Sequence, residues 1–277
     1  AWAIANGLAA ITQKIEILAA LRPQYHQVAL TAKQIATISQ ICNGRFSINM
    51  VSAWWAEEAR QYGINFDGHD DRYALTHEYT NVLRGFWEQS PFNHKGKYFT
   101  FENAYNEPKP PKTPLVYAGG ESERGRDAIV QFADKYLLHG GTLEEVREKI
   151  ADMKARRAKA GKSPFLGFGM AAYIIIRDSE AEALRELERI TTIKDEKAYE
   201  NSFKNFTNNS QLDVEISKRE YSVSNRGLRP HFIGTAQQVA EQIKAYEEAG
   251  LELLIVQCAP MKEELERIAK ELMPLVR

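Results

Sequence analysis

Three clusters of residue types in this chain have the chemistry to hold a small polar ligand. The first lies in Asn43-Gly44-Arg45-Phe46-Ser47-Ile48-Asn49-Met50-Val51-Ser52-Ala53-Trp54-Trp55, where a helix-stopping Asn-Gly leads into an apolar, β-branched strand carrying one carboxamide, Asn49. The rest of that strand reads as buried on both faces, as in parallel sheets covered by helices, whose ligands bind at the carboxyl ends of the strands. An Asn there offers two donors and an acceptor to a ring edge, although a neighbouring backbone would satisfy it equally well. The second cluster, Gly119-Gly120-Glu121-Ser122-Glu123-Arg124-Gly125, joins a strand to a helix. Its glycines allow close backbone approach, and Ser122 stands at a helix N-terminus, where amides and the helix dipole attract anions. The spacing is neither GxGxxG nor GxxxxGK[ST], and a capped left-handed turn accounts for it too. In the third, His69-Asp70-Asp71-Arg72-Tyr73, Arg72 suits a phosphate and Tyr73 a planar ligand, while an acidic helix start with a core Tyr is the plainer reading.

Hydrophobic periodicity supplies the elements that would position these clusters. Strands are expected at Ile15 to Leu21, Phe46 to Val51, Leu115 to Ala118, Lys135 to Leu138, Phe168 to Ile176 and Leu253 to Gln257. Helices are expected at Val28 to Ser39, Asp71 to Gln89, Arg124 to Phe132, Leu143 to Ala160, Glu180 to Ile190, Gln237 to Glu248 and Lys262 to Leu272. Capping boxes open three of them: Thr142-x-x-Glu145, Ser179-x-x-Glu182 and Thr235-x-x-Gln238. Strand and helix alternate, which implies right-handed crossovers and a parallel sheet. Six strand-helix units follow a lone apolar helix at Ala1 to Ile11. One more strand-helix unit and a further strand ahead of Ala1 would complete a (β/α)8 barrel. The expectation is an α/β fold, a single barrel domain over residues 1–277 truncated at its N-terminus. Two stretches interrupt the pattern. Residues Pro91 to Pro114 hold a hairpin-like Lys95-Gly96-Lys97-Tyr98-Phe99-Thr100-Phe101, and Thr191 to Pro230 are polar and poorly periodic, so residues 191–230 read as a lid-like insertion.

A chain of 277 residues with 44% hydrophobic content can bury a large core. A formal net charge of −1 argues against nucleic acid or an anionic membrane as partner, and no apolar run approaches the roughly 20 residues of a membrane helix. The two cysteines, Cys42 and Cys258, are isolated, which suits a reducing cytoplasm, and the six histidines are scattered without metal-binding spacing. No metal site is expected.

Several runs keep a recognisable order: Ala20-Leu21-Arg22-Pro23, Ala32-Lys33-Gln34-Ile35-Ala36-Thr37-Ile38, Asn43 to Ser52, His69 to Tyr73, Gly96-Lys97-Tyr98-Phe99, Lys109-Pro110-Pro111, Gly119-Gly120-Glu121-Ser122 and Ile233-Gly234-Thr235. In this order the chain resembles the bacterial luciferase-like flavin monooxygenases, and among them the alkanesulfonate, dimethyl sulfone and pyrimidine-ring oxygenase branch. The resemblance implies a (β/α)8 barrel whose first two strands precede Ala1. It implies an enzyme using reduced FMN and O2, fed by a separate NAD(P)H-dependent flavin reductase and assembled as a homodimer or homotetramer. The reaction would oxidise a small organosulfur compound, a sulfone or an alkanesulfonate, with C–S cleavage. A pyrimidine-type oxygenase, a deazaflavin-dependent oxidoreductase and a non-catalytic flavin-binding homologue are the alternatives.

By the same resemblance Asn49 and Glu58 contact the flavin ring region, Glu58 being nominated by the resemblance alone. Arg72 and Tyr73 bind flavin or its phosphate chain, and Ser122 with the neighbouring amides of Gly120 and Glu121 holds the phosphate. Arg22, Arg226 and Arg229 supply positive charge to a developing oxyanion. Where the alkanesulfonate enzymes carry an inward Arg and His, this chain has Ala171 and Tyr173. Tyr cannot replace a bidentate anion partner, which favours a neutral sulfone, whereas Leu21-Arg22-Pro23 matches the alkanesulfonate branch.

Overall fold

The structure, a computed structural model, describes residues 2–52, 56–64, 69–193, 195–209, 215–223 and 226–276. Helix α1 (Trp2–Ile11) precedes strand β1 (Ile17–Leu21), and a 3-10 turn over Pro23–Tyr25 follows that strand. Helix α2 (Val28–Ile41) begins where the Gln27 side chain accepts the Leu30 amide at 2.7 Å. It ends at Asn43 and Gly44, whose φ angles of 50° and 79° turn the chain left-handed, a conformation open to Gly and tolerated by Asn. Strand β2 (Phe46–Met50), helix α3 (Ala56–Gln61) and the long helix α4 (His69–Glu88) come next. A hairpin of β3 (Phe92–Lys95) and β4 (Thr100–Ala104) leads to β5 (Val116–Gly119), α5 (Glu123–Phe132) and β6 (Lys135–Leu138). Helix α3 had no periodic signal because six residues hold too few apolar positions to show one.

The chain divides into two compact units, Ala1–Tyr136 with Ala160–Lys162, and Leu137–Lys159 with Ser163–Arg277. In the first, β1 and β2 run parallel with Ala20 opposite Asn49, and β5 runs parallel on the other side of β2 with Tyr117 opposite Asn49. Phe46 meets Trp2 of α1 at 6.0 Å between ring centroids, so Phe46, Ile48 and Met50 are buried on the helix side and Asn49 faces the other way. Helix α4 buries Tyr79, Val82, Leu83, Phe86 and Trp87, and its Arg84 donates to Asp134 at 2.9 Å, while the other oxygen of Asp134 receives the Val116 amide at 2.8 Å. That carboxylate fixes where β5 starts.

The second unit holds α6 (Leu143–Lys159), β7 (Gly167–Tyr173), β8 (Ile175–Ile176), α7 (Glu180–Thr191), α8 (Glu196–Asn209), α9 (Lys218–Val223), β9 (Ile233–Gly234), α10 (Ala236–Glu248), β10 (Leu253–Gln257) and α11 (Met261–Arg267), which runs on into a π-helical turn over Ile268–Leu272. Strands β7 and β10 are parallel, from Gly169 opposite Leu253 to Tyr173 opposite Gln257. The single strand expected over Phe168 to Ile176 breaks at Ile174. There the chain changes partner: the Tyr173 amide donates to the Gly227 carbonyl at 2.7 Å, and β8 pairs with β9 instead of β10. The Thr142 and Thr235 capping boxes close in both directions, whereas Ser179 accepts the Glu182 amide and the Glu182 carboxylate turns to Arg185 at 3.7 Å. The segment read as poorly periodic contains α8 and α9. Their contact is aromatic, with Tyr199, Phe203 and Phe206 of α8 set 5.8, 5.4 and 4.9 Å from the Tyr221 ring of α9. Lys and Asn between those rings masked the helical period.

Glu78 of α4 holds the β3–β4 hairpin. Its carboxylate accepts the amides of Lys97, Tyr98 and Phe99 at 2.9–3.1 Å and lies 3.1 Å from the His94 ring nitrogen. A Cβ on Gly96 would overlap this carboxylate, which four partners keep from moving away. Burial works to raise the Glu78 pKa, but His94 and the three amides prevail and hold it below the usual value. A depressed carboxylate stabilises the fold above its unfolded pKa, and the contribution disappears as pH falls through the folded one. Glu78→Gln should therefore cost about 1.5–3 kcal/mol near neutral pH and speed exchange of the Lys97–Phe99 amides, with the difference from wild type shrinking in acid. Melting curves of the two proteins that stay a constant distance apart across pH would refute this role.

Candidate active site

Asn49 is half-buried, yet its Oδ1 is shielded from solvent and has no hydrogen-bond partner among the described residues. An oxygen left so costs about 1–3 kcal/mol unless a donor reaches it. Just beyond the strand, Ser52 hydrogen-bonds Thr76 of α4 at 2.9 Å, which fastens the carboxyl end of β2 to the helix that carries Arg72 and Tyr73. The Tyr73 phenol reaches Ser122; burial pushes its pKa up, while Ser122 and the Arg72 guanidinium pull it down. Ser122 caps α5, its Oγ accepting the Gly125 amide at 3.1 Å. A Cβ added to Gly125 would lie 2.5 Å from the Tyr73 hydroxyl, and one on Gly120 would lie 3.3 Å from it and 3.0 Å from Ile129. These glycines let the loop lie flush against Tyr73.

The loop itself is fixed by backbone contacts. Tyr136 donates to the Gly120 carbonyl at 2.7 Å, Arg126 donates to the Glu121 carbonyl at 2.7 Å, and the Glu121 side chain is buried. It is not the left-handed turn that its glycines also suggested: Ser122 has φ −63° and ψ 149°, and neither Gly119 nor Gly120 takes a positive φ. An extended Ser entering a helix leaves the first-turn amides of α5 directed outward with the positive end of the dipole. Arg22 and Glu58, assigned to different tasks, meet in an ion pair, and the Arg22 guanidinium lies 4.3 Å from the Tyr25 ring centroid. Ala53, Trp54 and Trp55 lie outside the described residues, as do the side chains of His69 and Asp70.

In the second unit Phe168 lies beside Lys154 of α6, so Gly169, Ala171 and Tyr173 face away from that helix. Leu253 touches the position of a Gly169 Cβ at 3.3 Å, which puts Leu253, Ile255 and Gln257 on the same face. Tyr173 packs with Ile175, Ala183, Leu187 and Ile233. Burial pushes its phenol up, helped by Cys258, Glu186 and Glu264, so at neutral pH it is a donor. Arg226 is 3% exposed and has φ 57°, a conformation that costs a non-glycine residue about 1–3 kcal/mol. A Cβ on Gly140, just after β6, would collide with the Arg226 carbonyl. Gly140 and the Gly227–Tyr173 contact thus hold this arginine's backbone at the carboxyl ends of β6 and β7. Arg229 is bound to Glu220 and, at 3.0 Å, to Glu145, so two carboxylates balance its charge. Among the described residues no His, Cys, Asp or Glu group is arranged for a metal ion, and no helix is long and apolar enough to cross a membrane.

Residues 1–253 match the luciferase-like monooxygenase family model. The chain belongs to that family. An FMNH2-dependent dimethylsulfone monooxygenase of Pseudomonas fluorescens (strain Pf0-1) is 32% identical to it over 99% of the chain and 77% of the relative. Among solved structures, riboflavin lyase (RcaE) superposes with a TM-score of 0.85 at 17% identity, over 100% of this chain and 73% of that one. DmoA from Hyphomicrobium sulfonivorans superposes with a TM-score of 0.80 at 20% identity, over 99% and 70%. The fold is the luciferase-like TIM barrel, whose active sites lie at the carboxyl ends of the strands.

Periodicity gave no reason to single out two carboxamides at such strand ends. Gln24 sits in the turn after β1 with Nε2 and Oε1 both shielded and without a partner among the described residues, and Gln257 ends β10 with its Oε1 in the same state. Neither belongs to a motif, and only its place after an apolar strand could have marked it. Ser122 offers a direct test of cap against cradle. Ser122→Ala should lower stability by about 1 kcal/mol, whereas Ser122→Asp keeps the cap and should melt near wild type. If the same site receives a phosphate, Ser122→Asp should nevertheless bind FMN less tightly than Ser122→Ala in a fluorescence titration; the opposite order would dismiss the cradle.

Proposed function

We propose that this protein is the oxygenase of a two-component system that uses FMNH2 and O2 to oxidise a small organosulfur compound, a sulfone in preference to an alkanesulfonate. The observation that carries the reading is the near-full-length likeness to the FMNH2-dependent dimethylsulfone monooxygenase. The residues present suit the cofactor: a shielded amide oxygen on Asn49 needs a donor, and the Gly120–Ser122 loop lies against Tyr73 at the start of α5, where an anionic group would meet the first-turn amides. Asn49 would meet the ring region with Glu58 nearby, Arg72 and Tyr73 the chain, and Gly120, Glu121 and Ser122 the phosphate. Reduced FMN supplies two electrons and activates O2. With dimethyl sulfone the balance is methanesulfinic acid, formaldehyde and water: one oxygen atom enters the carbon whose bond to sulfur breaks, and the other leaves as water.

This chain's residues would bind, orient and exclude. Arg226, buried at the strand ends, would stabilise negative charge as C–S cleavage proceeds, and the protonated Tyr173 would donate to an oxygen of the substrate. Ala171 and Tyr173 place no cation on their strand face, which favours an uncharged sulfone. Arg22, paired with Glu58, and Arg229, shared by Glu145 and Glu220, would supply part of that charge. Residues 191–230 would act as the lid of a single barrel domain, keeping water from the reacting centre. The partner is a separate flavin reductase. Coupled to such a reductase with NADH under air, the protein should release formaldehyde from dimethyl sulfone faster than from methanesulfonate. An equal or reversed preference would remove the sulfone assignment, and no substrate-dependent product from either would remove the oxygenase.

A further inference from the structure

The turn after β1 carries a polar group that the proposed contacts leave unused. Pro23 is buried there, the Tyr25 amide donates to the Arg22 carbonyl at 3.0 Å and the His26 amide to the Pro23 carbonyl at 3.3 Å, so the Gln24 backbone is set. Arg22 is committed to Glu58 and to the face of Tyr25. Gln24 keeps a shielded donor, Nε2, and a shielded acceptor, Oε1, neither with a partner among the described residues. The same end of the sheet holds Asn49: Ala20 pairs with Asn49 in register, and the Val51 amide donates to the Leu21 carbonyl at 2.9 Å.

The pairing requirement narrows the ligand. A sulfone, a sulfonate and a phosphate present oxygen acceptors alone, so each would satisfy Nε2 and leave Oε1 without a donor. A neutral edge with N–H beside C=O satisfies both atoms at once through two antiparallel hydrogen bonds. We propose that Gln24 is a binding residue that reads an imide edge, CO–NH–CO, at the site where the flavin is assigned. The isoalloxazine pyrimidine ring has such an edge, and so does a uracil-type substrate. The inference rests on the flavin reading given above.

Methylating the imide nitrogen removes the donor and leaves the rest of the ring, which gives the test. In one arm FMN and 3-methyl-FMN are titrated by fluorescence into wild type and Gln24→Leu; in the other, uracil and 3-methyluracil are titrated into the FMN-loaded proteins. Wild type should prefer FMN to 3-methyl-FMN by about tenfold or more, and the preference should fall to nearly one in the variant. The same collapse confined to the uracil arm assigns the edge to a substrate. A preference unchanged in Gln24→Leu in both arms, with FMN still bound, overturns the proposal and leaves the flavin reading standing; wild type that binds no FMN overturns that reading itself. Gln24→Met, which keeps the side-chain length without the amide, replaces Gln24→Leu if the latter melts early, because a purely structural Gln24 would shift the melting temperature and not the preference.

Discussion

A polar atom taken out of water must find a partner, and this constraint organises the carboxyl end of the sheet. At three places in the first unit it is met by protein: Asp134 receives Arg84 and the start of β5, Glu78 receives three hairpin amides, and the Gly120 carbonyl receives Tyr136. At Gln24 and Asn49 it is not met among the described residues. Ser39, Tyr79 and Asn106 of the same unit also keep a shielded atom without a partner among the described residues, so what sets Gln24 and Asn49 apart is their place at the carboxyl end of the sheet, where barrels of this fold bind their ligands. A ligand bound there would meet a backbone that these contacts already hold in place.

The second unit meets a different demand with strain. A left-handed backbone is unfavourable for Arg226, whose side chain is buried. Gly140 makes room for the carbonyl of that residue, and the hydrogen bond from Tyr173 to Gly227 holds the next one. Three separate stretches of sequence therefore converge on the backbone around Arg226, and the change of partner at Ile174 is one result of that convergence.

Local signals in the sequence were enough for the regular elements. Asn43-Gly44 ends α2, Thr142 and Thr235 close their capping boxes, and the strands at Lys135 to Leu138 and Leu253 to Gln257 have the bounds that their apolar runs imply. Asn49 and Ser122 were visible because an amide in an apolar strand and a Ser after two glycines break a pattern. What escaped depended on long-range geometry. No spacing reveals that Arg22 will meet Glu58 from 36 positions away, that Arg229 will be shared by Glu145 and Glu220, or that Gln24 will have its amide shielded. The left-handed turn that stood as the alternative reading of Gly119-Gly120 does not form, for a related reason: Gly120 is needed for the nearness of Tyr73 and not for its φ.

The helix pair α8 and α9 meets through tilted and edge-on rings around Tyr221, and none of its described residues is buried. Its ties to the rest of the unit run through α9: Val223 packs against the cluster around Tyr173, Arg219 pairs with Glu188 at 3.1 Å, and Glu220 pairs with Arg229. A helix pair with no buried residue of its own opens at a lower free energy than the buried strands do. Any rearrangement of the pair would therefore have to release Val223 from the cluster that holds Tyr173.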